Sequence, residues 1–424
     1  MEYCKILETP GGTAFVRRAA QALMNGCCVS LVLPDALLNR KELLDAVSSH
    51  LKGLGGPSSF KLADCAPGPA ADGLAASMAA LSGTDRKRTR KPFADYFRRG
   101  ESDYLKVVAL RGLERLPEPG WPEAARELAA AVEASGEGAV GGSGPEGLKF
   151  LALLRPDFPG IPARRGLVTL PWWGAVSQAD CDVLFDAAVE ESGKKLTEWD
   201  YWWLKALAAG IGGDDPCLIG ELVAREPRDM GSVRALLAAH PLSRRVPEDF
   251  EPEGEFLYPG ISPARSAPPD RPRDRVFWAK GLLSPNRHTL YHPALLAARG
   301  GLLDRFVSRG QRDVIFPLVE QVHGLLLHAF ERMLGGGIWE HYLKESPLQE
   351  AAEREMGPLH KAMSDLAHLL PSKDRYQVEG LKDHAYRWKM IRHQLAHSLV
   401  LEYHVWHRAV DEFLEAARNR FWRK

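Results

Sequence analysis

The run Val29-Ser30-Leu31-Val32-Leu33, followed at once by Pro34-Asp35-Ala36-Leu37-Leu38-Asn39-Arg40-Lys41, decides how the first half of the chain is read. Four of its first five residues are large and apolar and a proline closes it, which suits a short strand buried on both faces. Strand-length apolar runs recur at 60–63, 104–110, 148–154 and 167–170, with helical stretches such as 12–24, 40–52 and 123–134 between them. Strands separated by helical crossovers predict a mainly parallel five-stranded sheet covered on both faces, an α/β domain over residues 1–190.

That order, ending in Leu170-Pro171-Trp172-Trp173-Gly174-Ala175-Val176-Ser177-Gln178-Ala179-Asp180, resembles the core of an AAA+ or STAND-type P-loop ATPase. In that family the first strand runs into a G-x-x-x-x-G-K-[ST] loop, whose glycines bring backbone N–H groups to the phosphates. Here the matching stretch, Pro34 to Lys41, contains no glycine and no lysine in register. The family also ends its third strand in acids that hold magnesium. This chain reads Leu110-Arg111-Gly112-Leu113-Glu114, with Glu114 displaced. The resemblance therefore implies a degenerate ATPase-like domain, without Walker motifs, that hydrolyses no nucleotide and needs no cofactor. Pro10-Gly11-Gly12-Thr13 and Gly141-Gly142-Ser143-Gly144-Pro145 lack the residues of a nucleotide loop and read as turns.

A chain of 424 residues, 45% hydrophobic and 26% charged, has the composition of ordinary soluble protein with two to four domains. Lys plus Arg and Asp plus Glu number 55 each, so no global charge recruits nucleic acid and any such contact must be local. The six cysteines form no C-x-x-C pair and follow no secretory leader, and no apolar run reaches membrane-span length. A reducing, cytoplasmic location without membrane contact is the expectation. The Ala, Gly, Arg and Pro bias is that of a GC-rich bacterial genome.

Residues 191–245 read as a helical, lid-like region whose Trp199, Trp202 and Trp203 belong to a core. Residues 246–300 read as a Pro- and charge-rich connector, and 301–424 as an all-α helical bundle. In the bundle, helices are expected from Ile315-Phe316-Pro317 to the glycines at 335–337, over 346–369, from 377 into the 390s, and over 403–421. The densest basic run, Arg86, Lys87, Arg88, Arg90 and Lys91, has Phe93, Tyr96 and Phe97 close by. It could grip a nucleic-acid backbone, with rings available for stacking, but an exposed loop of solvated charges, or a contact with an acidic partner protein, is the favoured reading.

Near the end of the third bundle helix stands Arg392-His393-Gln394-Leu395-Ala396-His397. This resembles the R-x4-6-H signature of the HEPN family, many of whose members are metal-independent endoribonucleases. Histidine titrates near neutrality and can move protons, while arginine stays charged and can hold two phosphate oxygens. The resemblance implies His397 as base or acid, Arg392 as phosphate clamp, His393 as an orienting neighbour and Glu320 as an acidic partner on the first helix. It also implies a cyclic-phosphate product. Five residues on an ideal helix set Arg392 and His397 about 140° apart, so the resemblance further implies a homodimer with two motifs facing one cleft. His393 and His397 also have the i, i+4 spacing of a zinc pair, but no H-E-x-x-H glutamate and no third ligand are identifiable, so no metal is expected. The reading that results is an RNA-cutting protein of an anti-phage defence or toxin system, possessing a scaffold or sensor domain and a protein partner from the same system. A non-enzymatic interaction subunit of a multi-protein defence complex is the alternative.

Overall fold

The structure, a computed structural model, describes residues 2–38, 40–56, 60–65, 70–82, 92–98, 107–136, 148–244, 267–285, 291–297, 300–335, 338, 341 and 355–418. The basic run at 86–91, the glycine-rich piece at 141–145 and residues 246–266 of the expected connector lie outside them. The chain divides into two compact units, Met1–Leu184 with Glu248–His292, and Phe185–Pro247 with Pro293–Lys424. Among the described residues no helix is long and apolar enough to cross a membrane.

The first unit contains a five-stranded, all-parallel sheet: β1 (Cys28–Val32), β2 (Lys61–Asp64), β3 (Val107–Arg111), β4 (Lys149–Leu154) and β5 (Leu167–Pro171). The order across the sheet is β2-β3-β4-β1-β5, with Val29 beside both Leu151 of β4 and Val168 of β5. Every residue of β4 is buried, as a central strand covered on both faces requires. The longer helices of this unit's first stretch are α1 (Pro10–Met24), α2 (Lys41–Gly53), α3 (Ala70–Ser82) and α4 (Trp121–Gly136), and a short helix at Pro272–Ala279, within the expected connector, belongs to the same unit. Alternate strand residues Val108, Leu110, Phe150 and Ala152 reach one face, where they share a core with Leu128 of α4 and with Phe93 and Phe97. α1 packs on α2 and β1. The division between units falls within α5 (Gln178–Ser192).

The piece Pro10-Gly11-Gly12-Thr13, expected as a turn, is the first turn of α1. Thr9 caps it by accepting from Gly12 N–H, and the buried Asp180 carboxylate accepts from Gly11 N–H at 2.7 Å. A Cβ on Gly11 would lie 2.2 Å from the Ala175 carbonyl oxygen and 2.6 Å from Asp180 Oδ2. Glycine is required there for close approach, not for turn geometry.

The second unit is helical: α6 (Glu198–Leu207), α7 (Pro216–Arg225), α8 (Met230–Ala239), α9 (Gly300–Leu334), α10 (Met356–Leu366), α11 (Ser372–Ala396) and α12 (Tyr403–Arg418). α9 starts at Gly300 and continues through Pro317, whereas the sequence suggests a helix opening at that proline. Buried Leu303, Phe306 and Val307 before it, and Val319, Leu326 and Phe330 after it, keep one helical stripe packed, which outweighs the missing N–H. Gly310 lets α9 touch the backbone at the end of α6 and just after it, since a Cβ there would meet the Ala206 carbonyl oxygen at 2.2 Å and the Gly210 nitrogen at 2.4 Å. α9 packs on α6 and α11, and α12 on α6 and α11. Trp203 is buried in the α6–α12 contact, its ring edge-on to Tyr403, and Trp406 Nε1 donates to the Trp199 carbonyl at 3.0 Å. The expected helix at 346–369 is described only from Met356 to Leu366, because 342–354 lie outside the described residues.

The Asp180 carboxylate also accepts from Ser177 N–H and the Ser177 hydroxyl, each at 2.6 Å. Burial pushes its pKa up, but these bonds, led by the Ser177 hydroxyl, outweigh burial and hold it below the ordinary carboxylate value. A depressed folded pKa means stabilisation that is complete above the unfolded value and disappears as pH falls through the folded one. Asp180→Asn is therefore expected to lower the Tm of the first unit at pH 7 and to flatten the fall of Tm on acidification, as measured by a pH series of thermal melts. An unchanged acid limb would refute the assignment.

Candidate functional site

In an open α/β sheet, ligands bind beyond the carboxyl ends of strands whose connections leave in opposite directions. Here those strands are β1, whose connection crosses to the β2 edge, and β4, whose connection crosses β1 to reach β5. The residues after β1 form one helical turn, Asp35–Leu38, with Leu37 and Leu38 buried, rather than an open loop of N–H groups. Arg155, just after β4, forks onto Asp157 at 3.0 and 2.9 Å and lies 3.6 Å from Asp35. Burial raises the Asp35 pKa, Arg155 opposes that rise, and the Asp157 and Glu114 charges add to it. A carboxylate thus stands at the carboxyl end of β1, where a phosphate would need backbone donors. At the end of β2, burial, together with Glu114 and Asp64, pushes the Cys65 thiol up to about 12, so it is no nucleophile at neutral pH.

In the second unit the motif occupies the last turn of α11. Ile391 and Leu395 are fully buried, so the intervening residues are displayed around the helix end. The Arg392 side chain is half-buried and turns toward α9, with Nε 3.4 Å from Glu320 Oε1 and the guanidinium 5.5 Å from the centre of the Phe316 ring. Its Nη1 lies 3.9 Å from Glu355 Oε2. Phe316 and Glu320, four residues apart on α9, are on one face, which explains why both reach Arg392.

His393 and His397 are exposed, with ring centres 4.3 Å apart. The structure therefore brings Glu320 to Arg392 and His393 to His397. Among the described residues no hydrogen bond joins the guanidinium to either imidazole, consistent with the 140° of helical arc between positions 392 and 397.

His397 is the residue at which α11 ends. Ser398 N–H donates to the Leu395 carbonyl and Leu399 N–H to the Gln394 carbonyl, with Ser398 in the left-handed region at φ 57°. That paired closure is a Schellman turn, made without glycine. Beyond it, fully buried Gln311 of α9 clamps the Leu401 peptide from both sides, donating to its carbonyl at 2.9 Å and accepting from its N–H at 2.8 Å. Sequence reasoning missed Gln311, Phe316 and Glu355. Phe316 and Glu320 at i, i+4 were the available signal, whereas Gln311 lies 90 residues from its partner.

No protein family, no curated protein and no solved structure matches this chain. Gln311→Met removes both partners of a buried peptide group and is expected to cost about 2 kcal/mol. Urea unfolding gives that value, and hydrogen exchange at 398–402 should accelerate in the same variant. Unaltered exchange there would mean that the clamp does not hold the segment after His397.

Proposed function

We propose that the second unit is a metal-independent, HEPN-like endoribonuclease, cytoplasmic, acting within a bacterial anti-phage defence or toxin system. In this reading the first unit is a non-hydrolysing, ATPase-like scaffold or sensor. The observation that carries it is the convergence on one helix end of an arginine held between an aromatic ring and two carboxylates with a pair of exposed imidazoles. Cleavage without a metal requires a cation for phosphate oxygens and a group that exchanges protons near neutrality, and those side chains supply both. His397 takes or gives the proton, His393 orients it, and Arg392 binds the phosphate after exchanging its carboxylate contacts for phosphate oxygens. Two copies would bring two such motifs to one RNA.

A second reading, a non-enzymatic interaction subunit working with a partner of the same system, is favoured by one observation: Arg392 already has carboxylate partners. Incubating the full chain with structured and single-stranded RNA in EDTA separates the two. The ribonuclease reading expects cleavage leaving cyclic-phosphate ends. His397→Ala should reduce it about 100- to 10,000-fold and Arg392→Ala about 100-fold or more, with the fold retained. Cleavage that persists in His397→Ala overturns the assignment, and no cleavage by the wild type favours the interaction subunit.

A further inference from the structure

Phe185 and Asp186, on the part of α5 that opens the second unit, meet Tyr201, Trp202 and Lys205 of α6. Tyr201 and Lys205 are four residues apart and Trp202 and Lys205 three, so α6 turns all three side chains to one side. The Phe185 and Tyr201 rings have centres 5.5 Å apart and are inclined at 64°, and those of Tyr201 and Trp202 lie 5.2 Å apart at 85°. Rings set at such angles stand as walls instead of stacking. The Lys205 Nζ lies among them, 5.3 Å from the centre of the Tyr201 ring and 5.9 Å from those of Phe185 and Trp202. Asp186, half-exposed, stands on the solvent side with Oδ1 3.4 Å from the ammonium.

Two features set this cluster apart from ordinary packing. A surface lysine normally extends its ammonium into water, whereas the Lys205 side chain is 16% exposed. Burial lowers its pKa, but the Tyr201 hydroxyl and the Asp186 charge outweigh burial and hold it above the ordinary lysine value, so the occupant is a cation. The frame also has contacts that do not pass through Lys205: the Tyr201 hydroxyl donates to Asp186 Oδ1 at 2.7 Å, and the rings meet one another directly. The second feature is distance. Carbon atoms in contact lie about 3.5–4.0 Å apart and an N–C bond adds about 1.5 Å, so a methylated nitrogen sits about 5.0–5.5 Å from a ring that its methyl groups touch. The cage is therefore about one methyl group wider than the bare ammonium of Lys205 requires.

We propose that Phe185, Tyr201, Trp202 and Asp186 form a binding site for a trimethylated ammonium group, closed in the free protein by Lys205 as a tethered competitor. A quaternary ammonium needs no hydrogen bond and gains from each ring face. Lys205 holds its place through a 3.1 Å bond to the Tyr201 hydroxyl and the longer contact with Asp186. Its flexible four-carbon stem lets it swing out to water when a ligand enters. The site shares no residue with the ribonuclease reading and stands or falls without it.

Calorimetric titration of the full chain with tetramethylammonium chloride, with circular dichroism to verify folding, tests the proposal. Lys205→Ala is expected to bind about tenfold or more tightly than the wild type, because the tethered competitor is gone. Lys205→Gln, which retains most of the stem without the charge, is the second variant should the first misfold. In the same background Trp202→Ala and, separately, Asp186→Asn should each weaken binding about tenfold. The aspartate change leaves all three rings in place and covers the case in which loss of the indole disturbs the fold. The uncharged carbon analogue of choline should not bind. Choline and Nε-trimethyllysine, titrated in parallel, distinguish a small-molecule carrier from a protein side chain, and tighter binding of either supports the site. No binding to the folded Lys205 variants, binding that Trp202→Ala and Asp186→Asn leave unchanged, or equal binding of the uncharged analogue would each overturn it.

Discussion

Burial of Val378, Leu381, Ala385, Trp388 and Leu395 along one side of α11 fixes the rotation of that helix about its axis. Everything else in the motif follows from that rotation. Arg392 is left on the flank facing α9, where Phe316 and Glu320 await it, and His393 and His397 are left on the outer side. Had the apolar stripe been shifted by one residue, each of these side chains would have moved by about 100° and the arginine would have lost its ring and carboxylate. The stripe is held by an edge-on aromatic stack, Trp388 against Trp406 and Phe413 of α12, rather than by aliphatic contact alone. A core residue and a candidate site residue four positions apart are thus under one constraint.

The first unit turns on a different substitution of charge. A parallel sheet with β1 between β4 and β5 creates a crevice at its carboxyl edge whatever the loops contain. What the crevice accepts depends on the sign of the groups lining it. Here Asp35 and Asp157 both face Arg155, and the turn after β1 is closed by buried leucines, so the described groups at this edge suit a polyanion poorly. The architecture depends on the hydrophobic strands, whereas any phosphate chemistry at the crevice would depend on a few loop residues. Scaffold and site can part company in this way because different residues specify them.

The sequence disclosed the elements whose signals are local. All five strands coincide with apolar runs, most fully β1, β3 and β4, which are buried along nearly their whole length, while the edge strands β2 and β5 are partly exposed. The helices α11 and α12 were equally visible in their periodicity. What remained hidden was set by partners distant in sequence. Proline at 317 argues locally against a helix, and only the packed stripe on both sides of it makes the helix continuous. Gly11 is explained by Asp180, 169 residues away, and Gln311 by Leu401. The end of α11 carried no glycine to announce it, because Ser398 takes the left-handed position instead. At the site, the i, i+4 spacing of His393 and His397 foretold their contact, whereas the positions of Phe316 and Glu355 beside Arg392 depend on how α9 and the start of α10 meet α11.

The carboxylates beside Arg392 are less of an obstacle to a phosphate than they look. Glu320 and Glu355 are substantially exposed at 42% and 53%, and their contacts, 3.4 and 3.9 Å, are single and long rather than forked. Exposed pairs of that kind contribute about 0–1 kcal/mol, because water already satisfies both ions. A phosphodiester offering two oxygens to the planar guanidinium gains geometry that neither carboxylate has here. In the proposed reading the Phe316 ring would keep the guanidinium plane in place through such an exchange, since its contact with the cation does not use the N–H groups that bind anions. In the proposed reading, an arginine held by single, long contacts to weak acids and oriented by an aromatic ring suits an anion clamp better than a structural ion pair would, which is forked and short, as Arg155 with Asp157 is in the other unit.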